Sequence, residues 1–378
     1  MRRRQVAPRD SWRARVEEQG LLFHHIAGEA GAYWAEGTYY EFTAAEVDTI
    51  EAATDELHAR CLDAVEHVIE NRRYAELGIP ELAIPLIERT WDDEPPSIYG
   101  RMDLAFGDGV PKLLEYNADT PTSLLEGAVI QWTWLDDCFP ALDQFNSIHD
   151  RLIAGWTELA PHLGSVLHFG LVEDVEDAMT IAYLRDTAEQ AGIKTVELAM
   201  EDLGWDDASR SLVDLDNKPI ESLFKLYPWE GLVVDDWAPL LSRITTRWLE
   251  PAWKMVLSNK AILPILWELF PGHPNLLPAA RELSKLPDQT RWVKKPIFGR
   301  EGNNVTIVAP GVSVGTEGPY GAEGHVFQQY ATLGEFDGMR PVVGSWVIAG
   351  EAAGVGIREA SSYVTNNTAR FVPHVIAG

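Results

Sequence analysis

The chain has 378 residues, of which 58 are acidic and 31 basic, and its formal net charge at pH 7 is −27. Hydrophobic residues make up 46% of the chain and charged residues 24%, which is typical of a folded globular protein with one large or several smaller domains. Such an acidic chain excludes nucleic acid and anionic membranes as expected partners, because their phosphates would be repelled, and it favours metals or amines. No apolar stretch is long enough to predict a membrane span. The two cysteines, Cys61 and Cys138, predict free thiols and a cytoplasmic protein.

The N-terminal part contains a basic segment, a helix and a hairpin. Residues 1–19 are predicted to form a flexible arm because no apolar pattern follows the arginines at positions 2–4. A capping box at Thr43–Glu46 predicts the start of a long helix, since apolar residues then recur at helical spacing. Strands are predicted at 99–106 and 110–117, around a Gly-Asp-Gly turn. Asp119, followed by Thr and Pro, is expected to cap a helix that runs to about residue 135.

The middle third alternates strands and helices. Strands at 166–171 and 195–198 flank a helix at about 174–190, which predicts a parallel βαβ unit. The last third contains predicted strands at 292–298, 305–308, 325–330, 341–348 and 351–357, joined by glycine-rich turns.

Four polar residues alternate along the two strands of the hairpin, so that they are expected to lie on one face. A three-residue turn would place Arg101 opposite Glu115 and Asp103 opposite Leu113, with Asn117 on the same side. Two carboxylates and an amide form an oxygen-rich set that suits Mg²⁺. The alternative interpretation is a solvated strand face with an Arg–Glu cross-strand pair.

Residues 251–310 form a positive island, with eight basic and four acidic residues, and an anion site is one explanation for it. Lys260 and Lys295 lie in this island, and Lys295 shares its strand face with apolar residues, where a lysine is costly unless it meets an anion. A lysine that extends past the sheet edge is the alternative. The glycine-rich loop 299–304 predicts a flap over phosphate, or else an ordinary hairpin loop. Arg358 follows a later glycine-rich strand and could stabilise a transferring phosphoryl group or an oxyanion, or else be a surface arginine.

Six ordered blocks resemble the synthetase domain of the glutathionylspermidine synthase family and together cover the chain from about residue 20 to its end. The blocks are Gly100–Asp103, Leu114–Glu126, Leu223–Glu230, Asn259–Pro264, Lys295–Gly302 and Gly356–Arg358. The resemblance implies an α/β fold, a permuted ATP-grasp fold with an α/β pre-ATP-grasp domain. It also implies ATP and Mg²⁺ as cofactors. Bifunctional members carry an N-terminal amidase domain that this chain lacks, so no amide hydrolysis is expected.

The resemblance also implies roles for individual residues. Arg101 and Arg358 match catalytic or substrate-contacting arginines. The residues implied in binding are Asp103, Glu115 and Asn117 for Mg²⁺, Lys260 and Lys295 for the ATP phosphates, Gly299 and Gly302 in the flap, and Gln328 and Gln329 on the strand that faces adenine.

These observations predict a domain division and a reaction. The predicted parts are a flexible arm (1–19), a helical segment with the Mg²⁺-binding hairpin (20–150), a pre-ATP-grasp-like domain (151–240) and a nucleotide-binding region (241–378). The expected reaction is an ATP- and Mg²⁺-dependent ligation that joins a carboxylate, such as a peptide, to an amine, such as a polyamine, through an acylphosphate. The alternatives are a nucleotide-binding regulatory module without ligase turnover, and a kinase that stops at a phosphorylated product.

Overall fold

A computed structural model describes residues 1–25, 32–93, 97–172 and 174–377. The α-helices in these ranges are α1 (Trp12–Glu18), α2 (Ala44–Glu70), α3 (Ile84–Asp92), α4 (Gln131–Cys138), α5 (Ile148–Leu159), α6 (Val175–Gln190), α7 (Trp229–Leu232), α8 (Lys254–Leu257) and α9 (Ile262–Leu269). The strands are β1 (Arg2–Gln5), β2 (Thr38–Phe42), β3 (Tyr99–Ala105), β4 (Lys112–Asn117), β5 (Leu167–Leu171), β6 (Thr195–Ala199), β7 (Gly204–Asp206), β8 (Ser211–Val213), β9 (Ser222–Leu226), β10 (Arg247–Leu249), β11 (Ala279–Ala280), β12 (Trp292–Pro296), β13 (Thr306–Ala309), β14 (Val312–Gly315), β15 (His325–Gln329), β16 (Arg340–Ile348), β17 (Glu351–Ala360), β18 (Arg370–Val372) and β19 (His374–Ile376). The predicted mixed α/β class is confirmed.

Three of the sheets position the cavity described below. Sheet A is antiparallel, in the order β18-β17-β16-β3-β4, and joins the early hairpin to the last strands of the chain. Sheet B is antiparallel, in the order β11-β15-β12-β13-β14. Sheet C is parallel, in the order β10-β9-β5-β6, and contains the predicted βαβ unit.

Helix α2 packs against sheet A and begins with the predicted capping box. The Glu46 backbone N–H donates to Thr43 Oγ1, and the Glu46 carboxylate accepts from the Thr43 backbone N–H at 2.9 Å. Val47, Ile50 and Leu57 on the inner face of the helix are buried in the core. The apolar spacing read from the sequence therefore corresponds to the packed face of this helix.

The register of the β3–β4 hairpin differs from the predicted one. Arg101 pairs with Asn117, and Asp103 pairs with Glu115. The prediction fails because the connection spans residues 106–111 rather than three residues, and because the register shifts after Asp103. The four polar side chains still share one face, because the shift lies beyond them.

The helix expected from Asp119 begins later, at Leu124, and a π-helical turn at Glu126–Ile130 leads into α4. Asp119 does not cap it. Its carboxylate instead accepts hydrogen bonds from Lys225 Nζ at 2.6 Å and from the Trp229 backbone N–H at 2.9 Å. The buried Asp119–Lys225 pair therefore joins this turn to sheet C.

The segment predicted as a flexible arm is a paired part of the fold. Strand β1 pairs with β2, and β19 lies on the other side of β2. Arg3 donates to both carboxylate oxygens of Glu359, at 2.8 and 3.0 Å, and Glu359 is fully buried. This partner is 356 residues away in the chain, and hence the local pattern gave no sign of it.

We expect Arg3→Met to lower the free energy of unfolding by about 3 kcal/mol, because it leaves a buried carboxylate without its main cation. Arg2→Met is the matched control, since the Arg2 side chain is 72% exposed, and it should change stability by less than about 0.5 kcal/mol. Denaturant unfolding measures both. Adding Glu359→Gln to Arg3→Met should restore part of the loss, and equal effects of the two single changes would contradict the prediction.

Two further expectations concern the thiols and the membrane. Cys61 and Cys138 are both free. Within the described ranges, every helix is too short or too polar to cross a bilayer.

Candidate functional site

A cavity of about 250 Å³ is lined by residues of both antiparallel sheets. Sheet A contributes its arginine-bearing strands β3 and β17, and sheet B contributes β12 and β15. All of the residues that the sequence singled out line this cavity: Arg101, Asp103, Glu115, Asn117, Lys260, Lys295, Gly299, Gly302, Gln328, Gln329 and Arg358.

Two arginines meet on one carboxylate at the sheet A side of the cavity. Arg101 Nε donates to Asp103 Oδ1 at 2.8 Å, and Arg358 Nη2 donates to Asp103 Oδ2 at 2.7 Å. Arg101 also donates to the Thr122 carbonyl oxygen. Arg101 and Asp103 are buried, while the Arg358 side chain is 22% exposed and can reach a ligand. Asp103 therefore fixes the position of both guanidinium groups.

Glu115 pairs with Asp103 across the hairpin and interacts with two lysines. Lys260 Nζ lies 3.2 Å from Glu115 Oε2. Burial alone would raise the pKa of Glu115, but the positive charges of Lys260 and Lys295 outweigh it and lower that pKa to about 2. Burial, opposed by Glu115 and assisted by the charge of Lys260, lowers the pKa of Lys295 to about 8. Glu115 is therefore ionised at neutral pH, and Lys295 carries its proton there.

Lys295 is held by sheet contacts rather than by an anion. Its Nζ donates to the Leu114 carbonyl oxygen and to Gln328 Oε1, both at 2.9 Å. Gln328 in turn donates to the Leu113 carbonyl oxygen at 2.9 Å, and so it joins sheet B to β4. The inward direction predicted for Lys295 from strand alternation is confirmed, and Gln328 supports it.

The centre of the cavity is positively charged within a strongly acidic protein. Four basic groups, Arg101, Lys260, Lys295 and Arg358, surround the two carboxylates of Asp103 and Glu115, which leaves an excess of two positive charges. An anion bound there would compensate the buried cations for part of the hydration free energy that they lost on folding. The centre therefore suits a polyanion.

Asp103, Glu115 and Asn117 present the oxygen donors that suit Mg²⁺. Among the residues that the structure describes, Asn117 Nδ2 is buried without a hydrogen-bond partner, and a cation would bind to Oδ1 of this amide. No group of three or more His, Cys, Asp or Glu side chains in those residues could hold a metal by itself. The set thus fits a cation that receives its remaining ligands from an anionic substrate and water.

The 299–304 loop closes one side of the cavity. Lys260 Nζ donates to the Gly299 carbonyl oxygen at 2.6 Å. Gly302 has a φ of +69°, and a Cβ there would lie 2.7 Å from the Thr365 carbonyl oxygen, so only glycine fits without strain. Arg300 donates from Nε to Glu230 at 3.0 Å and from Nη1 to Thr120 Oγ1 at 3.2 Å. The loop is thereby tied to Lys260, to the segment that follows β4, and to α7, which lies between β9 and β10.

Comparison with known proteins identifies the family. Residues 3–377 match the family described as glutathionylspermidine synthase preATP-grasp. The chain belongs to this family. Its description agrees with the ATP-grasp architecture expected from the six sequence blocks.

The relatives of this glutathionylspermidine synthase family member are ligases. The chain is 43% identical to a Haemophilus influenzae protein named "Putative acid--amine ligase", over 94% of each chain. It is 29% identical to a trypanothione synthetase of Crithidia fasciculata, over 84% of this chain and 53% of that protein. It is 26% identical to the bifunctional glutathionylspermidine synthetase/amidase of Escherichia coli, over 89% of this chain and 59% of that protein. The chain is thus an enzyme of the acid–amine ligase type, and it spans little more than half of the latter two relatives.

Sequence reasoning missed an acidic end of the same cavity. Glu176, Glu230 and Glu301 line it, on the α6, α7 and loop sides. Burial, followed by the charges of Asp174 and Glu301, raises the pKa of Glu176. Two of these residues could have been predicted from the sequence, because Glu230 and Glu301 lie inside blocks that carry the family resemblance. The cavity of this family member therefore has a cationic centre and an anionic end.

A buried carboxyl lies behind this cavity. Glu126 is 4% exposed and accepts a hydrogen bond from the Tyr33 hydroxyl at 2.7 Å, while that hydroxyl lies 3.0 Å from Ser123 Oγ. Burial, against the lowering effect of the Tyr33 hydrogen bond, raises the pKa of Glu126 to about 7. The cluster holds the turn whose Thr122 carbonyl accepts from Arg101.

We expect Glu126 to make the stability of the protein fall as pH rises. The folded carboxyl keeps its proton up to about pH 7, whereas the ordinary value is 4.5, so the contribution is complete below 4.5 and is lost as pH rises through 7. From pH 4.5 to 8 this amounts to about 3 kcal/mol. Glu126→Gln should remove that part of the pH profile in denaturant unfolding, and the exposed Glu66→Gln should not. Parallel profiles for the wild type and Glu126→Gln would contradict the assignment.

Proposed function

We propose that the chain is an ATP- and Mg²⁺-dependent carboxylate–amine ligase that forms an amide bond through an acylphosphate. The observation that carries this proposal is the excess of positive charge, with two adjoining carboxylates, between the two antiparallel sheets. Binding of a nucleoside triphosphate needs such a centre, and the named activities of the relatives are of the same reaction type.

The proposed reaction has two steps. An oxygen of the substrate carboxylate attacks the γ-phosphorus of ATP, the bond to the β-phosphate oxygen breaks, and ADP leaves. The nitrogen of a neutral amine then attacks the acyl carbon, phosphate leaves, and the nitrogen loses a proton. Phosphorylation is needed because a free carboxylate is a poor electrophile.

The chain's own residues supply positioning and charge. Lys260 and Lys295 would hold the phosphates, because their ammonium groups are already fixed by Gly299, Leu114 and Gln328. Arg358, oriented by Asp103, would face the charge that develops on the acyl group.

Asp103, Glu115 and Asn117 would hold Mg²⁺, which supplies charge neutralisation for the phosphates when bound. Glu115 is suited to this role because its pKa of about 2 keeps it ionised throughout the physiological range. The 299–304 loop would exclude water, which would otherwise hydrolyse the acylphosphate.

The acidic end of the cavity favours a cationic amine as the second substrate. Glu176 and Glu301 would attract an ammonium, and a polyamine would satisfy more than one of these carboxylates. Arg300 lines the cavity and is the candidate for a substrate carboxylate, such as that of a peptide, which would have to share the guanidinium with Glu230. The name of one relative, a glutathionylspermidine synthetase/amidase, combines a peptide with a polyamine. The free thiols favour the cytoplasm as its location.

Product analysis tests the proposal. The protein is incubated with ATP, Mg²⁺, and pooled carboxylates and polyamines, and the products are identified by mass spectrometry. An amide whose mass is the sum of acid and amine minus water, formed together with ADP and phosphate, is the expected result. A phosphorylated product without an amide would assign a kinase, and nucleotide binding without phosphate release would assign the regulatory module.

A further inference from the structure

We propose a second ligand site, separate from the reaction cavity, that binds a small organic ammonium ion with an aliphatic body. It occupies a cavity of about 370 Å³ beside sheet C. The proposal does not depend on the ligase reaction, because nothing in its argument uses the nucleotide or the acyl centre.

The location is one where parallel sheets commonly bind ligands. Leu171 ends β5, Ala199 ends β6, and Tyr227 directly follows β9. These strands are parallel and adjacent, so their carboxyl ends lie at one edge of the sheet. The loops beyond that edge form the cavity, which is the usual position of a ligand crevice in an open α/β sheet.

The lining selects for an apolar body. Leu171, Val172, Ala199, Met200 and Leu232 present aliphatic or thioether side chains. Val172 is 45% exposed, so apolar surface extends to the mouth of the cavity. A cavity of this volume accommodates a small organic molecule. Burial of the apolar side chains against that molecule would contribute to its binding.

The charge of the lining selects for a cation. Asp235 and Glu201 are its ionisable acids, and within the described residues no Lys, Arg or His lines the cavity. The aromatic residues Tyr227 and Trp237 also line it, and aromatic rings interact favourably with organic cations. The Tyr227 hydroxyl donates to Asp235 Oδ2 at 2.8 Å, which orients the carboxylate on the cavity wall.

The cavity is distinct from the reaction site. Among the described residues, the two cavities have no lining residue in common. The segment 227–232 lies between them, with Glu230 lining the reaction cavity and Tyr227 and Leu232 lining the second one. A ligand can therefore be assigned to one cavity by the residues whose signals it changes. Glu230 reports on the reaction cavity, and Tyr227 and Leu232 report on the second one.

Binding of three matched probes tests the site on the full chain. We would titrate n-hexylamine, n-hexanol and hexanoate, and follow the methyl NMR signals of Met200 and Leu232. Hexylamine should shift both signals saturably, hexanol should bind at least about fivefold more weakly, and hexanoate should not bind, because only the amine satisfies both the apolar wall and the carboxylates. Equal binding of the three probes, or no shift with hexylamine, would overturn the proposal.

Variants separate this cavity from its surroundings. Asp235→Asn should weaken hexylamine binding about tenfold and leave hexanol binding unchanged. Asp236→Asn is the matched control, because Asp236 is exposed and lies outside the lining, and Glu230→Gln reports on the reaction cavity. Trp237→Leu provides a second disruption and should weaken hexylamine as well. Loss of hexylamine binding in Glu230→Gln, or its retention in both Asp235→Asn and Trp237→Leu, would place the amine elsewhere and overturn the assignment.

Discussion

Replacing Lys295 with methionine is expected to lower kcat/KM for ATP by about 10² to 10³, while the protein stays folded and at least as stable as the wild type. The ammonium lies in the cavity between β4 and β15 and would interact with the transferring phosphate. Its desolvation lowers its pKa to about 8, so the buried charge opposes folding, and a methionine of similar volume removes that cost. Loss of activity without loss of stability would indicate that Lys295 serves the reaction and not the stability of the fold.

Lys294→Met is the matched control for this prediction. Lys294 is the preceding residue on β12, points to the opposite face and does not line the cavity. It should change kcat/KM less than about twofold. Steady-state kinetics, nucleotide titration and denaturant unfolding on both variants provide the comparison. Similar losses of activity in both variants, or destabilisation by Lys295→Met, would contradict the assigned role.

Asp103→Asn is expected to reduce kcat/KM by at least about 10³, the largest effect among the variants considered, because one carboxylate serves three purposes. It fixes Arg101, orients Arg358, and is proposed to hold Mg²⁺. The amide keeps the shape but loses the negative charge, which leaves two guanidinium groups close together. Activity measured against Mg²⁺ concentration should show a raised requirement for the metal as well as a lower maximum.

Asp108→Asn provides the comparison for this second prediction. Asp108 lies in the exposed turn of the same hairpin and accepts a hydrogen bond from the Val110 backbone N–H at 3.2 Å. Activity and Mg²⁺ dependence should be those of the wild type. If Asp103→Asn keeps a normal Mg²⁺ requirement and loses only stability, then the carboxylate is an anchor for the arginines and not a metal ligand.

The features of the site that depend only on the alternation of side chains along one strand were predicted correctly. Side chains two residues apart on a strand lie on the same face, whatever the strand pairs with. This repeat predicted the inward direction of Lys295 and the common face of Arg101 and Asp103. The capping box at Thr43 was predictable for the same reason, because its partner is three residues away.

The wrong predictions all involve distant partners or loop geometry. Asp119 has the sequence of a helix cap, but Lys225 and Trp229 take its carboxylate, since a buried lysine requires a counterion. The sequence around Arg3 predicted a free arm, but Arg3 pairs with Glu359, which is 356 residues away in the chain. The hairpin register depended on a shift after Asp103, which alternation alone does not reveal. The domain boundaries beyond residue 19 and the residue roles stay predictions, and the variants above address the residue roles.

The composition of sheet A has a consequence for how the protein is made. Strand β3, near residue 100, pairs with β16, near residue 345, so the hairpin leaves the ribosome long before its neighbour exists. Until then β3 presents an unpaired backbone edge. Sheet C needs only residues 167–249 and can assemble earlier. We therefore expect the proposed reaction cavity to be among the last parts to form, and the nascent chain to depend on protection of that edge during synthesis.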